Sequence, residues 1–175
     1  MLGVNKGEVK LDPPSEDWKN LFQIEQKLLH TITGADIVDM QHIGSTSIQH
    51  ISAKPIIDML IGVNDLKRIE HFGRTKLKNH GYYHLSKVRV EGKEVFAKFS
   101  NMEKLTKTHI LHVVKYQGPL WNQLTYFRDY MNANREKAKE YEALKQELAW
   151  KYPNDERSYT MEKKKFVDRI IRDLQ

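Results

Sequence analysis

The run Pro55-Ile56-Ile57-Asp58-Met59-Leu60-Ile61-Gly62-Val63 constrains this chain more than any other stretch. Only Asp58 and Gly62 interrupt its apolar character, which is the mark of a strand buried on both faces. Such a strand lies inside a sheet with cover on each side, and the flanking sequence supplies that cover. Upstream, Glu8–Leu11 reads as a short extended segment stopped by Asp12-Pro13-Pro14-Ser15, with Met1–Gly7 expected as a flexible end. Ser15 is placed to cap a helix, with Glu16 and Asp17 complementing its N-terminus. Trp18, Leu21, Phe22, Leu28, Leu29 and Ile32 then follow helical spacing over about 16–32. Ile37–Ile43 reads as a strand, and Gly44-Ser45-Thr46-Ser47 as a turn whose hydroxyls can cap a short helix.

Downstream, Asn64 is expected to cap a helix reaching about Asn79, stopped by Gly81. Tyr82–Ser100 alternates around Glu91-Gly92, a hairpin signal, and His109–Tyr116 is a further strand. After Gly118-Pro119 the pattern is helical throughout, in pieces near 120–132, 135–151 and 158–174. The expected fold is α+β: a mixed sheet covered by helices, with a helical C-terminal segment. At 175 residues one domain is the default, with a sheet core over 1–118 and a helical tail over 119–175 packed on it. In the tail, Tyr141, Leu144, Leu148 and Trp150, with Phe166, Ile170, Ile171 and Leu174, read as packing stripes, and Lys163-Lys164-Lys165 as a solvated charge run.

Composition narrows the chemistry. The chain has no cysteine, which excludes disulfides, thiolate metal sites and a cysteine nucleophile. The first residues lack the apolar stretch of a signal peptide and no run reaches membrane-spanning length, so a cytoplasmic protein without a membrane partner is expected. Net charge is +6, divided as −3 over residues 1–64, +7 over 65–134 and +2 over 135–175. A positive middle segment points to an anionic ligand (a nucleotide, a nucleic acid or a phosphorylated metabolite) or simply to a solvated surface. Tyr82, Tyr83, Phe96 and Phe99 could stack nucleic-acid bases there, although strand aromatics commonly serve as core.

Candidate chemistry concentrates between positions 42 and 58. A strand ending in Gly44-Ser45 and entering a helix start offers N–H groups, hydroxyls and a helix dipole to a phosphate. An acid at Asp58, in an apolar strand, needs a metal, a cation or backbone donors as partner. Together these suit a Mg²⁺–nucleotide site; separately, the turn can be mere capping and Asp58 can pair structurally with Lys54. Three histidines near the central strands, His42, His109 and His112, offer with Asp58 a transition-metal alternative. However, His109 and His112 differ by three and point to opposite faces of a regular strand. Leu111, Val113 and Val114 place His112 deep in the sheet, which makes it the preferred functional histidine. Arg128 can reach a phosphate or pair locally with Asp129.

His42-Ile43-Gly44-Ser45-Thr46-Ser47 with Ala53-Lys54-Pro55-Ile56-Ile57-Asp58 closely resembles the GrpB family. The resemblance continues through Gly81-Tyr82, His109, Leu111-His112-Val113-Val114, Phe127-Arg128-Asp129-Tyr130, Tyr141–Lys145, Tyr159-Thr160, Lys164 and Phe166. It implies membership of the nucleotidyltransferase superfamily and a polymerase-β-type fold. There a Gly-Ser turn holds a triphosphate, two acids one residue apart bind Mg²⁺, and a later strand adds a third acid. Gly44 and Ser45 match the turn and Asp58 the first acid; Leu60 stands at the second, and the third falls near His112. Ile48-Gln49-His50 also departs from the usual Val-Pro-Gly. On this resemblance Gly44, Ser45, Thr46 and Lys54 would hold phosphate and Asp58 would hold Mg²⁺. Lys98 would neutralise charge, His112 would deprotonate an acceptor, and His42 and Arg128 would be additional contacts.

The implied function is binding of a nucleoside triphosphate with Mg²⁺, with nucleotidyl transfer to an acceptor. The alternative is a non-catalytic ligand- or protein-binding module, favoured by Leu60 because two-metal transfer needs more oxygen ligands than Asp58 alone provides. Nucleic-acid binding ranks third. Convergence of Ser45, Asp58 and His112 on one open cleft bordered by cations is the geometric test.

Overall fold

The computed structural model describes residues 2–33, 36–67 and 74–173. Helix α1 (Asp17–Thr33) is followed by strand β1 (Ile37–Ile43), a single 3₁₀ turn at Ser45–Ser47, and strand β2 (Ile57–Val63). Helix α2 (Arg74–Asn79) leads to β3 (Tyr82–His84), β4 (Lys93–Asn101) and β5 (Thr106–Lys115). Three helices close the chain: α3 (Pro119–Ala133), α4 (Arg135–Lys151) and α5 (Glu156–Arg172). Of the helix expected from Asn64, residues 68–73 lie outside the described residues, and its C-terminal part is α2.

Five strands form one mixed sheet in the order β1-β2-β5-β4-β3. β2 runs parallel to β5 and antiparallel to β1, and the other pairs are antiparallel. β2 therefore has a strand on each side and, apart from Asp58, is buried along its whole length. Ile57, Met59, Ile61 and Val63 face α1, with Trp18, Phe22, Leu29, Ile32, Leu111 and Val113 in one core. The opposite face presents Leu60, packed with Ile43, Val114 and Trp121. Gly62 is required there, because a Cβ on it would lie 2.7 Å from the Trp121 ring and 2.8 Å from that of Tyr116.

The helical tail covers this second face. Phe127, Met131, Ala138, Tyr141, Phe166 and Ile170 form a core of their own with Ile48 and Ile51, from the connection between β1 and β2. The tail thus presses on the loop that follows the Gly-Ser turn, which positions the site below. Asp155 caps α5, its side chain accepting from the Ser158 N–H at 3.0 Å. Trp150, expected in a packing stripe, is 86% exposed. The N-terminal segment is likewise different from the flexible end expected. Val4 is 3% exposed and bridges to Lys107, and the Gly3 N–H donates to the Pro55 carbonyl at 2.8 Å. Among the described residues no helix is long and apolar enough to cross a membrane.

Candidate functional site

β1 ends at Ile43, paired in register with Asp58 on β2. Gly44 then turns the chain with φ of 72°, and this conformation together with the missing side chain brings the turn directly onto Asp58. A Cβ at Gly44 would fall on that carboxyl group, 2.9 Å from Asp58 Cβ and Cγ. One strand across, β5 sets His112 opposite Leu60, two positions along from the residue paired with Asp58. The two side chains share the α5-facing side of the sheet, and His112 Nε2 donates to Asp58 Oδ1 at 2.9 Å.

Burial opposes ionisation of Asp58, but the hydrogen bond and charge of His112, with Lys163 and Lys93, outweigh it and hold the carboxyl below its ordinary pKa. Burial, helped by Lys93, holds His112 below the ordinary histidine value despite Asp58. The pair at neutral pH is therefore a carboxylate and a neutral imidazole. With Nε2–H committed to Asp58, Nδ1 is a bare acceptor, buried without a hydrogen-bond partner among the described residues.

Ser45, Asp58 and His112 do converge on one cavity. It has a volume of about 310 Å³ and is lined further by Gly44, Lys54 and, from the tail, Tyr141, Glu156, Tyr159 and Lys163. Ser45 donates towards the Tyr141 hydroxyl at 3.5 Å. Lys54 is bound to Glu156 at 2.9 Å, and Lys107 reaches the same carboxylate at 3.3 Å. Burial opposes the Glu156 charge, and the two lysines overcome it, keeping that carboxyl below its usual pKa. Lys163, expected on a solvated face, lies half-buried in this cleft with its ammonium 5.5 Å from the centre of the Tyr159 ring. Only its neighbours behave as a surface run, Lys164 pairing with Asp168 and Lys165 with Glu162.

Several expected site residues lie elsewhere. Thr46 is buried, its hydroxyl held between the Ile56 carbonyl (3.3 Å) and His42 Nε2 (2.9 Å), so it is a structural brace and not a phosphate ligand. His42 is paired with Met59 and so belongs to the α1 side, where it stacks on Phe22. Burial brings its pKa down to about 4. Lys98 is also on that side, bound at 2.7 Å to the buried Glu25 with the Tyr82 hydroxyl, so it neutralises a protein carboxylate and no ligand. His109 lies 3.8 Å from Glu25 in the same cluster, away from His112 as the strand period requires. The transition-metal alternative is thereby dispersed over both faces. Among the described residues no three His, Cys, Asp or Glu side chains gather for a metal. Arg128 pairs with Asp129 at 2.8 Å and donates to Gln41 and the His42 carbonyl, beside a larger groove of about 640 Å³ between α1 and β1.

The donor set also decides on Mg²⁺. Asp58 is engaged by His112 through one oxygen, Leu60 is fully buried in the α3-side core, and Glu156 is held by two lysines. Two carboxylates already tied, with Lys54 and Lys163 in the same lining, do not fit a hard cation that demands octahedral oxygen ligands. Nor do the described residues assemble a serine nucleophile, since Ser45 is turned to Tyr141 and His112 Nδ1 meets no hydroxyl among them. The turn itself is one 3₁₀ step of three residues, too short for the helix dipole expected there.

The comparisons agree with this architecture. The family model described as GrpB protein matches residues 8–173. The chain is 61% identical over 174 residues to the glutamate-rich protein GrpB of Alkalihalophilus pseudofirmus, covering 99% of this chain and all of that one. It is 33% identical to the UPF0157 protein YqkA of Bacillus subtilis over 162 residues, spanning 93% of this chain and 46% of the relative. The crystal structure of the conserved protein GrpB from Enterococcus faecalis superposes with a TM-score of 0.82 at 24% identity, over 94% of this chain and 99% of that one, and so shows the fold. With its matched residues running from the first extended segment to the end of α5, the chain belongs to the GrpB protein family.

Proposed function

We propose that this protein binds a phosphorylated small molecule of the nucleotide class in the Asp58 cleft, as a binding module on a nucleotidyltransferase-type fold that has lost its metal-binding pair. The observation that carries this reading is the convergence of Ser45, Asp58 and His112 with Lys54 and Lys163 on one cavity. A mixed sheet with a Gly-Ser turn after one strand and an acid on the next supports the superfamily reading. The core position of Leu60 and the commitment of Asp58 to His112 speak for binding over transfer.

The roles follow from the charge states. Lysines meet the phosphate, and the Ser45 hydroxyl can leave its long contact with Tyr141 to donate to it. Asp58, ionised and held low by its partners, is a weak base and a good acceptor for a ligand hydroxyl. His112 keeps that carboxylate oriented through its Nε2–H.

Thermal unfolding with adenosine, AMP, ATP and inorganic phosphate, each with and without Mg²⁺, tests the reading. Phosphorylated ligands should raise the melting temperature and adenosine should not. No shift with any of them overturns the proposed function. Transfer of labelled nucleotide to any acceptor, abolished in Asp58→Ala, overturns its non-catalytic part.

A further inference from the structure

Three helices of this protein carry a charged side chain in the middle of an apolar stripe. On α1 the series is Trp18, Phe22, Glu25, Leu29, Ile32; on α4, Ala138, Tyr141, Lys145, Leu148; on α5, Tyr159, Lys163, Phe166, Ile170. A buried or half-buried charge needs a partner. Glu25 has the Tyr82 hydroxyl and Lys98, both at 2.7 Å. Lys145 donates to the Ser52 carbonyl and lies over the Tyr141 ring. Lys163 lines the cleft beside Asp58 and Glu156, yet no carboxylate, carbonyl or hydroxyl among the described residues forms a hydrogen bond or ion pair with it. Among the described residues its direct contact is with the face of Tyr159, and Asp58 and Glu156 act on it through charge alone.

We infer that Lys163 takes the place a metal would hold, so that phosphate binds in the Asp58 cleft directly on its ammonium, without a divalent cation, and against the charge of Asp58. The inference rests on the proposed function and specifies how the ligand is held. The charge balance supports it. Lys54 and Lys107 bracket Glu156, while Lys163 and Lys93 act on Asp58, so cations outnumber carboxylates around the cavity. A cation entering there meets lysines, whereas a dianion gives Lys163 the hydrogen-bonded partner it lacks among the described residues. The cavity, about 310 Å³, is at the lower limit for small-ligand sites and suits a monophosphate better than a triphosphate with hydrated Mg²⁺. Asp58 then selects the ligand's orientation by repelling phosphate from its own side and accepting a hydroxyl.

Calorimetric titration with inorganic phosphate and with AMP, in EDTA and in Mg²⁺, tests this on the wild-type chain and on Lys163→Met, Lys163→Arg and Asp58→Asn. Methionine keeps the stem that packs on Tyr159, and asparagine keeps an acceptor for His112; unfolding midpoints without ligand report any loss of fold. The wild type should bind in EDTA, with Mg²⁺ changing affinity by less than about twofold. Lys163→Met should weaken binding about tenfold or more, as expected for loss of a charge-assisted hydrogen bond, and Lys163→Arg should restore most of it. Asp58→Asn should bind inorganic phosphate as tightly as wild type or more tightly. Binding that requires Mg²⁺, that disappears in Asp58→Asn, or that is unchanged in Lys163→Met overturns the role of Lys163 and leaves the cleft as the ligand site. Absence of binding by the wild type with and without Mg²⁺ overturns the proposed function as well.

Discussion

A methyl group at position 44 would land on the Asp58 carboxyl group. This single contact explains why a glycine stands there: the carboxylate occupies the space, and φ of 72° adds a conformational demand. Gly44→Ala should cost about 2 kcal/mol or more in urea unfolding, combining steric overlap with the left-handed backbone. In an Asp58→Ala background the overlap with the carboxyl group is gone, while the 2.9 Å approach to Cβ and the backbone cost remain, so the double-mutant cycle should be non-additive by about 1 kcal/mol. Strict additivity would contradict the contact. The Gly-Ser motif was legible in the sequence, but its partner was not. A glycine that reads as making way for a phosphate makes way first for Asp58, a contact created by the Ile43–Asp58 register and invisible in the linear order.

At the scale of elements, the strong periodic patterns placed β1 and α4 with the bounds observed, and the other helices of the tail within two residues at their starts. What spacing failed to convey was the meaning of single charges inside apolar stripes. Lys163 sits four residues after Tyr159 and three before Phe166, so helical geometry puts it on the buried face, while Lys164 and Lys165 rotate away. The triple-lysine run concealed that difference. Lys145 obeys the same rule between Tyr141 and Leu148, and burial, with the nearby charge of Lys163, lowers its pKa to about 7. An unfolded lysine titrates near 10.4, so between pH 7 and that value the unfolded chain binds more protons than the folded one. Stability gained from this residue therefore rises with pH across that window, and the full cost of burying the charge is felt below it. Lys145→Met should stabilise the protein by about 2 kcal/mol at pH 6 and by clearly less at pH 9.5. An advantage that is equal at both pH values, or larger at the higher one, would contradict a buried titrating lysine.

For the whole molecule, the basic middle segment suggested a face that the fold breaks up. Lys98 turns inward to Glu25, Lys107 binds Glu156 of the tail, and Arg128 pairs with Asp129. The candidate stacking residues Tyr82 and Phe96 are 1% and 2% exposed, hence core. Single- and double-stranded nucleic-acid probes should accordingly show no binding that survives about 150 mM salt, whereas tight binding with a steep salt dependence would restore that possibility. Lys76, Lys78, Lys87, Arg89, Lys104 and Lys115 stay exposed, and a separate group of lysines gathers in the cleft, where the β1–β2 turn, the parallel β2–β5 pair and α5 meet. Sequence order separates those parts by about a hundred residues, which is why the turn, Asp58 and His112 are legible as candidates in the sequence and the wall supplied by α4 and α5 is not. Co-crystallisation with AMP in the presence of EDTA shows where the phosphate group is held. The phosphate group should lie between Ser45 and the Lys163 ammonium with a ribose hydroxyl on Asp58; an empty cleft, or AMP seated in the groove beside His42 and Arg128, would overturn the assignment of the Asp58 cleft as the ligand site.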